Sequence, residues 1–320
     1  MLSKIVPINV SRDHGDGECY LECIDCSSFK RAEHLTDAPT ADPVFENLSI
    51  DAIFRYKWFI QDDDISKPAM LQSLRLCTML LYASLPFWHT IFFGEVVVLR
   101  DRAEGVSKQI LFINERTELT EEEEALTLAR LEELAGRIVL ELEDGGEDCS
   151  SCDLAEEDED DPDAKPSVVI LLNRKLYGDL ERVVKHRTDI VKDSWVQVEG
   201  AGTLGHEMAH AVMVLTHGDI LEAYFEGSQV SEEGFERERR TFGGILKAIY
   251  RTDKGPARYV VDGTPSALDK MIVMQEWPNA QTLALYRHKK WEMGNMGSLF
   301  DVSTTWNIPV SYVVNLLQAS

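Results

Sequence analysis

The chain has 320 residues, of which 44% are hydrophobic and 28% are charged, so it is long enough to bury a large core. Its formal net charge of -24 argues against nucleic acids and anionic membranes as partners, because both would repel it. Its first residues lack the apolar stretch of a secretory signal, which predicts a cytoplasmic protein.

Composition divides the chain into an arm, a domain and an insert. Residues 1–50 show little hydrophobic periodicity and are predicted to form an irregular N-terminal arm, whereas residues 51–320 are predicted to form a single domain. Within that domain, residues 143–165 include a polyanionic run from Glu156 to Asp163. Such a run cannot bury apolar surface, so the segment is predicted to be a disordered acidic insert.

The stretch from Leu76 to Gly94 carries no formal charge and is long enough to span a bilayer. Because it contains Pro86 and several polar residues, a buried helix is favoured instead, up to about Leu85. A turn at Pro86 and a strand from Ile91 to Val98 are predicted to follow.

Further elements are predicted between this stretch and residue 200. Thr120 and the four glutamates after it match a capping box, which predicts a helix with an apolar side that continues to Leu142. A buried strand is predicted at residues 167–173 and a helix at residues 180–192. Trp195 to Val198 alternates in polarity and is predicted to be a short strand.

His206-Glu207-Met208-Ala209-His210 is an H-E-x-x-H sequence within an apolar run. Histidines four residues apart lie on one face of a helix, where one Zn²⁺ can bridge them, and the glutamate between them stands beside the water held by the metal. Gly200 to Thr203 is predicted to end the preceding strand, so this helix is expected from Leu204 to about His217, with Gly218 as its stop.

A second helix, predicted from Ser231 to Tyr250, provides a third ligand. Its apolar positions form one stripe, made of Phe235, Phe242, Ile245 and Ile249. Glu238 is the only charge on that stripe, and a carboxylate that faces a core is costly unless it is paired or bound to a metal. Glu238 is therefore predicted to complete a His₂Glu site with an open fourth position. The other charged residues are predicted to face water: Glu233, Glu236, Arg237, Arg239, Arg240 and Lys247.

Two assignments stay open in the sequence. Glu232 is the alternative third ligand, although its place just after Ser231 favours a solvated role that stabilises the helix dipole. A second, structural zinc site is the other open assignment, with unpaired thiols as its alternative. Its ligands would be two pairs of cysteines at zinc-knuckle spacing, Cys23 with Cys26 and Cys149 with Cys152.

The segment from Glu232 to Glu238, together with Phe242-Gly243-Gly244, resembles the E-x-G-x-x-x-E segment of the gluzincins, the thermolysin-like zinc metallopeptidases. It is closer still to a group of fungal H-E-x-x-H proteins with a similar segment. The resemblance covers about residues 200–250. It implies a zincin-like α+β fold, in which a mixed sheet places an edge strand beside the metal helix and a second helix carries the third ligand.

The resemblance also implies one catalytic zinc ion, held by His206, His210 and Glu238, with Glu207 as the general base. Thermolysin-like enzymes have an aspartate four residues after the third ligand that orients the first histidine, and this chain has Phe242 there. Another carboxylate is therefore expected in that role.

The predicted function is hydrolysis of peptide bonds in a peptide or protein substrate, with Glu207 taking the proton of the zinc-bound water. The donor that stabilises the oxyanion is left open among Tyr224, Tyr250, Tyr259, Tyr286 and His288. One alternative is a non-proteolytic zinc-binding protein that uses the same site, and another is an interaction protein that acts through its acidic surface. Glu207 argues against the first, because a structural zinc ion needs no base beside an open position.

Overall fold

The computed structural model of the protein describes residues 50–100, 109–143, 150–154, 167–186, 190–218, 223–228, 231–250, 270–275 and 305–307. The helices in these ranges are α1 (Tyr56–Phe59), α2 (Lys67–Ala83), α3 (Leu85–Phe93), α4 (Glu121–Leu134), α5 (Arg174–Lys185), α6 (Ile190–His217) and α7 (Glu233–Phe242). The strands are β1 (Glu95–Arg100), β2 (Gln109–Ile113), β3 (Ile138–Glu143), β4 (Ser151–Leu154), β5 (Val168–Asn173), β6 (Tyr224–Phe225), β7 (Ile245–Tyr250), β8 (Lys270–Gln275) and β9 (Thr305–Asn307).

The described strands form small separate sheets, which confirms the α+β class but not the single mixed sheet that the sequence predicts. Their orders are β1-β2-β6, β3-β5-β4 and β7-β8-β9. In the second sheet, β3 runs parallel to β5 and β4 runs antiparallel to it, so β4 is an outer strand. The first sheet is also mixed, and the third is antiparallel.

Helix α6 lies at the centre of the described fold. It packs against α2, α5 and α7, and against strands β4 and β5. Its apolar side chains Leu204, Met208, Ala209 and Val212 are fully buried, as the surrounding elements cover most of its circumference. Gly218, at φ +76°, ends the helix, as the sequence predicts.

The length of α6 corrects the prediction for residues 190–203. Trp195 to Val198 is not a strand, and Gly200 to Thr203 is not a break, because the helix is continuous from Ile190 to His217. Glycine in a helix costs about 1 kcal/mol relative to alanine. At Gly200 this cost accompanies close packing, since a methyl group there would lie 2.9 Å from the hydroxyl of Ser73 and 3.2 Å from Leu180.

Two further predictions fail where a helix ends earlier or later than the pattern suggests. Pro86 lies in the first turn of α3, where its missing N–H costs nothing, and Ile91 to Phe93 complete this helix instead of starting a strand. The capping box at Thr120 is confirmed, but its helix ends at Leu134. The apolar positions beyond it belong to β3, which pairs with the confirmed strand β5.

The prediction of a disordered acidic insert at residues 143–165 is wrong in part. Ser151 to Leu154 forms β4, which pairs with β5 in the register Cys152 to Ile170. The acidic run from Glu156 to Asp163 and the N-terminal arm lie outside the described residues. So do Cys23, Cys26 and Cys149, which leaves the second zinc site a prediction.

In the described part of the chain, no single helix combines the length and apolar character needed to cross a membrane. Helices α2 and α3 reach that composition only as a pair, and they are bent by 68° relative to each other. Most of the apolar residues in α2 and α3 are buried inside the fold, Cys77 and Trp88 among them.

Gly200→Ala tests the packing of α6, and Gly178→Ala in α5 serves as its comparison. Gly178→Ala, at an exposed position of α5 with no atom within 4 Å of the added methyl group, should stabilise the protein by about 0.5–1 kcal/mol. Gly200→Ala should destabilise it by about 1–3 kcal/mol, because the methyl group overpacks against Ser73 and Leu180. Urea unfolding of both variants measures this, and a stabilised Gly200→Ala variant would contradict the close packing.

Candidate metal centre

His206 and His210 lie one turn apart on α6 and turn the same ring nitrogen toward each other. Their Nε2 atoms are 3.3 Å apart, and both side chains remain partly exposed. Glu207, between them in sequence, is buried. The H-E-x-x-H sequence is therefore helical, as predicted, and it presents both imidazoles on one face.

Glu232 supplies the carboxylate that faces both histidines. Its Oε1 atom is 2.9 Å from Nε2 of His210 and 3.3 Å from Nε2 of His206. As the N-cap of α7, its carboxylate also accepts hydrogen bonds from the backbone N–H groups of Gly234 and Phe235. Capping therefore holds this side chain at the helix end that points toward α6.

The three facing atoms have the spacing that a metal ion requires. Nitrogen and oxygen ligands about 2.0–2.1 Å from a tetrahedral zinc ion lie about 3.3 Å from one another. The three separations among His206, His210 and Glu232 are 2.9, 3.3 and 3.3 Å. These residues form a group that could hold a metal ion, and their chemistry of two imidazoles and one carboxylate suits a transition metal.

The far nitrogen of His206 is fixed by Glu238. Nδ1 of His206 is 3.0 Å from Oε1 of Glu238, and the other carboxylate oxygen accepts the backbone N–H of Leu246 at 2.8 Å. A carboxylate on Nδ1 favours the tautomer whose Nε2 lone pair is available to a metal. Glu238 therefore orients the first histidine.

His210 has a matching arrangement with Glu233. Nδ1 of His210 is 2.9 Å from Oε1 of Glu233, and the second oxygen of Glu233 accepts the backbone N–H of Ala223 at 3.2 Å. Both ligand histidines thus have a buried carboxylate on the side away from the candidate metal, as is usual for histidines that bind metals.

In this geometry Glu232, the alternative third ligand, faces both Nε2 atoms, whereas Glu238, the predicted third ligand, faces Nδ1 of His206. The prediction assumed one helix from Ser231 to Tyr250, but α7 begins at Glu233 and ends at Phe242, where Gly243 adopts φ +84°. Glu232 is therefore an N-cap whose side chain points along the helix start, and it is buried instead of solvated.

Several charged residues of α7 that were predicted to face water are buried. Glu233 orients His210, and Glu236 accepts hydrogen bonds from Arg239 and Arg240. Arg237 is fully buried as well. The sequence signal that these residues share is the density of charge over Glu232 to Arg240, and such a run by itself predicts a solvated face.

Gly234 allows the ring of His206 to lie directly on the start of α7. A methyl group on Gly234 would be 2.6 Å from three atoms of the His206 ring, Cγ, Cδ2 and Nδ1. The ring of Phe235 packs edge-on against the same imidazole, with centroids 4.6 Å apart. This contact explains the glycine of the Glu-x-Gly sequence, whose role was not predicted.

The nearby carboxylates raise the pKa of both histidines. Burial lowers the pKa of His210, but hydrogen bonds to Glu232 and Glu233 outweigh it and raise the pKa to about 11. For His206, burial is outweighed in the same way by Glu238 and Glu232, so its pKa is also raised. A metal that binds Nε2 must therefore displace protons, and its affinity should fall as the pH is lowered.

Glu207 is the buried carboxylate beside the cluster. Burial raises its pKa, and the charges of His206 and His210 oppose that rise. The outer strand β4 packs against α6, and burial together with the charges of Glu207 and Glu233 raises the pKa of its Cys152 thiol. Among the described strands, an edge strand that lies beside α6 is therefore β4, and not Trp195 to Val198.

Among the predicted oxyanion donors, Tyr224 is the one whose side chain the structure describes. Tyr224 lies in β6 and lines a surface groove with Leu99, Leu111 and Ile113. Tyr250 ends β7, where only the backbone is described. The remaining candidates, Tyr259, Tyr286 and His288, lie outside the described residues.

Comparison of this chain with protein-family models, with curated proteins and with solved structures finds no match. The gluzincin resemblance therefore stays a prediction that depends on the residues quoted for it. The side-chain geometry of His206, His210 and Glu232 is independent of that resemblance.

Two matched amide substitutions test which glutamate is the ligand. Glu232→Gln keeps an oxygen that can cap α7 but removes the negative charge facing both Nε2 atoms, so metal affinity should fall by more than about 100-fold. Glu238→Gln changes a residue that acts through His206 and should cost about 10–100-fold. Competition with a chromophoric chelator measures both affinities, and a larger loss for Glu238→Gln would restore that residue as the ligand.

Gly234→Ala tests the contact under His206. The added methyl group would overlap the imidazole and rotate it away from Glu232, so metal affinity should fall by about 10-fold or more. Gly178→Ala, with no atom near its methyl group, serves as the control and should leave metal affinity unchanged. If both variants bind metal as wild type does, the ring position does not depend on Gly234.

Proposed function

We propose that this protein is a zinc-dependent peptidase whose active site consists of His206, His210, Glu232 and Glu207. The observation that carries the proposal is the meeting of Nε2 of both histidines with Oε1 of Glu232 at 2.9–3.3 Å. Three protein ligands leave a fourth position for water or substrate, which is typical of catalytic zinc sites and not of structural ones.

The ligand set favours zinc among the divalent metals. Two neutral imidazoles and one carboxylate are found in zinc hydrolases, and the carboxylates on both Nδ1 atoms strengthen imidazole ligation. When bound, the ion would act as a Lewis acid and lower the pKa of a water molecule at the open position.

Glu207 is assigned the proton transfer. Its carboxylate lies on α6 between the two histidines and is buried, and burial raises its pKa, which makes the carboxylate a stronger base. In peptide hydrolysis, Glu207 would accept the proton of the attacking water and donate it to the nitrogen of the leaving amine.

The outer position of strand β4 supports a peptide as the substrate. In the described part of the chain, β4 pairs with β5 on one side, and no strand pairs with its other side. An extended peptide can add to such an edge through main-chain hydrogen bonds. Because β4 packs against α6, which carries Glu207, a peptide on this edge would lie beside the helix of the proposed base.

Glu207→Gln tests the proposed reaction. The amide keeps the size of the side chain but cannot accept the proton, so zinc should stay bound while cleavage of an unbiased peptide library falls by about 100-fold to 10,000-fold. Mass spectrometry of the library measures cleavage, and elemental analysis measures zinc. Glu132→Gln, at an exposed position of α4, is the matched control and should behave as wild type.

The outcomes separate the proposal from its alternatives. Wild-type protein that binds zinc but cleaves no peptide supports a non-proteolytic metal-binding protein. Equal cleavage by wild type and Glu207→Gln contradicts the assignment of Glu207, whereas a wild type that takes up no zinc contradicts the metal centre itself.

A further inference from the structure

Arg237 of α7 is fully buried, and none of its three guanidinium nitrogens has a hydrogen-bond partner in the described structure. A buried charge without a partner is costly. The carboxylates that flank it in sequence are engaged elsewhere, since Glu236 pairs with Arg239 and Glu238 binds His206. An ordinary ion pair therefore does not account for Arg237.

The guanidinium of Arg237 lies against α6 at Gly205. A methyl group on Gly205 would be 2.1 Å from Nη1, 2.4 Å from Cζ and 2.6 Å from Nη2. On another side, Cζ lies 5.7 Å from the ring centre of Trp88 in α3, within the range of a cation–π contact. The guanidinium is thus held between α6, which packs against α7, and α3, which packs against α6.

Cys77 of α2 is a further neighbour of Arg237. Burial raises the pKa of its thiol to about 12, and the positive charge of Arg237 opposes this rise. The thiol itself donates to the backbone carbonyl of Ala201, at 3.2 Å. Arg237 therefore has buried neighbours from α2, α3 and α6.

The contact at Gly205 is the counterpart of the contact at Gly234. On α6, Gly205 precedes His206, and on α7, Gly234 lies close to Arg237 in sequence. The ring of His206 rests on Gly234, while the guanidinium of Arg237 rests on Gly205. Each helix thus places one flat group on a glycine of the other, and two such contacts fix both the separation and the rotation of the helix pair.

We propose that Arg237 is a positioning residue of the metal centre. Wedged between Gly205 and Trp88, its guanidinium sets the distance between α6 and α7 at which Glu232 meets both histidines. The inference rests on the proposed metal site, because its consequence is metal affinity. It assigns a role to a side chain that touches neither a ligand atom nor the substrate.

The sign of the effect separates this role from a purely electrostatic one. A positive charge near a divalent cation opposes its binding, so removal of the charge alone should increase the affinity for the metal. Loss of the Arg237 side chain from between Gly205 and Trp88 should decrease the affinity for the metal, because the ligands of the two helices no longer meet. Arg237→Ala removes both, whereas Arg237→Met removes the charge and keeps a flexible side chain that fills most of the space.

Zinc affinity of the full chain, measured by chelator competition, tests the proposal. Gly205→Ala and Arg237→Ala should each lose about 10–100-fold in affinity, as expected when the support of a metal ligand is removed. Arg237→Met should bind zinc at least 10-fold more tightly than Arg237→Ala does. Gly202→Ala is the control and should bind zinc as wild type does. Gly202 lies on the same helix, and the atom near its added methyl group is Cδ1 of Leu246, at 3.3 Å.

Unfolding of the metal-free variants in urea is measured in parallel, so that a general loss of stability is separated from a loss of affinity in folded protein. The proposal is overturned if Arg237→Ala binds zinc more tightly than wild type, or if Gly205→Ala and Gly202→Ala have equal affinity. If Arg237→Ala does not fold, Gly205→Ala and Arg237→Met decide. A wild type that takes up no zinc overturns the proposed function, and this inference with it.

Discussion

The meeting of two histidines of α6 with three carboxylates, the N-cap of α7 and two residues within that helix, is the interaction on which the described structure depends. Burial of this many ionisable groups is unfavourable unless each one is paired. Here each imidazole has one carboxylate on Nδ1, and both share Glu232 on Nε2. The pairs connect α6 to α7, to Ala223 before β6 and to Leu246 in β7.

This connection places the candidate centre on rigid elements. Helix α6 is continuous from Ile190 to His217 and packs against other helices and the strands β4 and β5 over much of its length. A site supported in this way holds its geometry more precisely than one carried by loops. The close approach of α7 requires small residues, which is why Gly205 and Gly234 lie at the crossing.

Some elements follow directly from local sequence rules. The capping box at Thr120 begins α4, and the apolar run before Asn173 is the buried strand β5. The H-E-x-x-H helix and its stop at Gly218 are also recovered. In each case a short-range signal, such as a cap or a spacing of four residues, determines the structure without help from distant residues.

The misplaced elements depend on contacts that a single sequence does not contain. Trp195 to Val198 alternates like a strand, but the packing of α6 against α2 and α5 keeps it helical despite the glycines that follow. The choice between Glu232 and Glu238 turned on where α7 begins. An N-cap side chain points along the helix axis, so a stripe drawn through the whole segment predicted the burial of Glu238 correctly but placed Glu232 in solvent.

Anomalous diffraction from crystals grown with zinc, recorded on both sides of the zinc absorption edge, tests the metal centre most directly. The account predicts one strong peak about 2.0–2.2 Å from Nε2 of His206, Nε2 of His210 and a carboxylate oxygen of Glu232, with Glu238 still on Nδ1 of His206. No peak at this position, or a peak coordinated by Glu238 in place of Glu232, would contradict it.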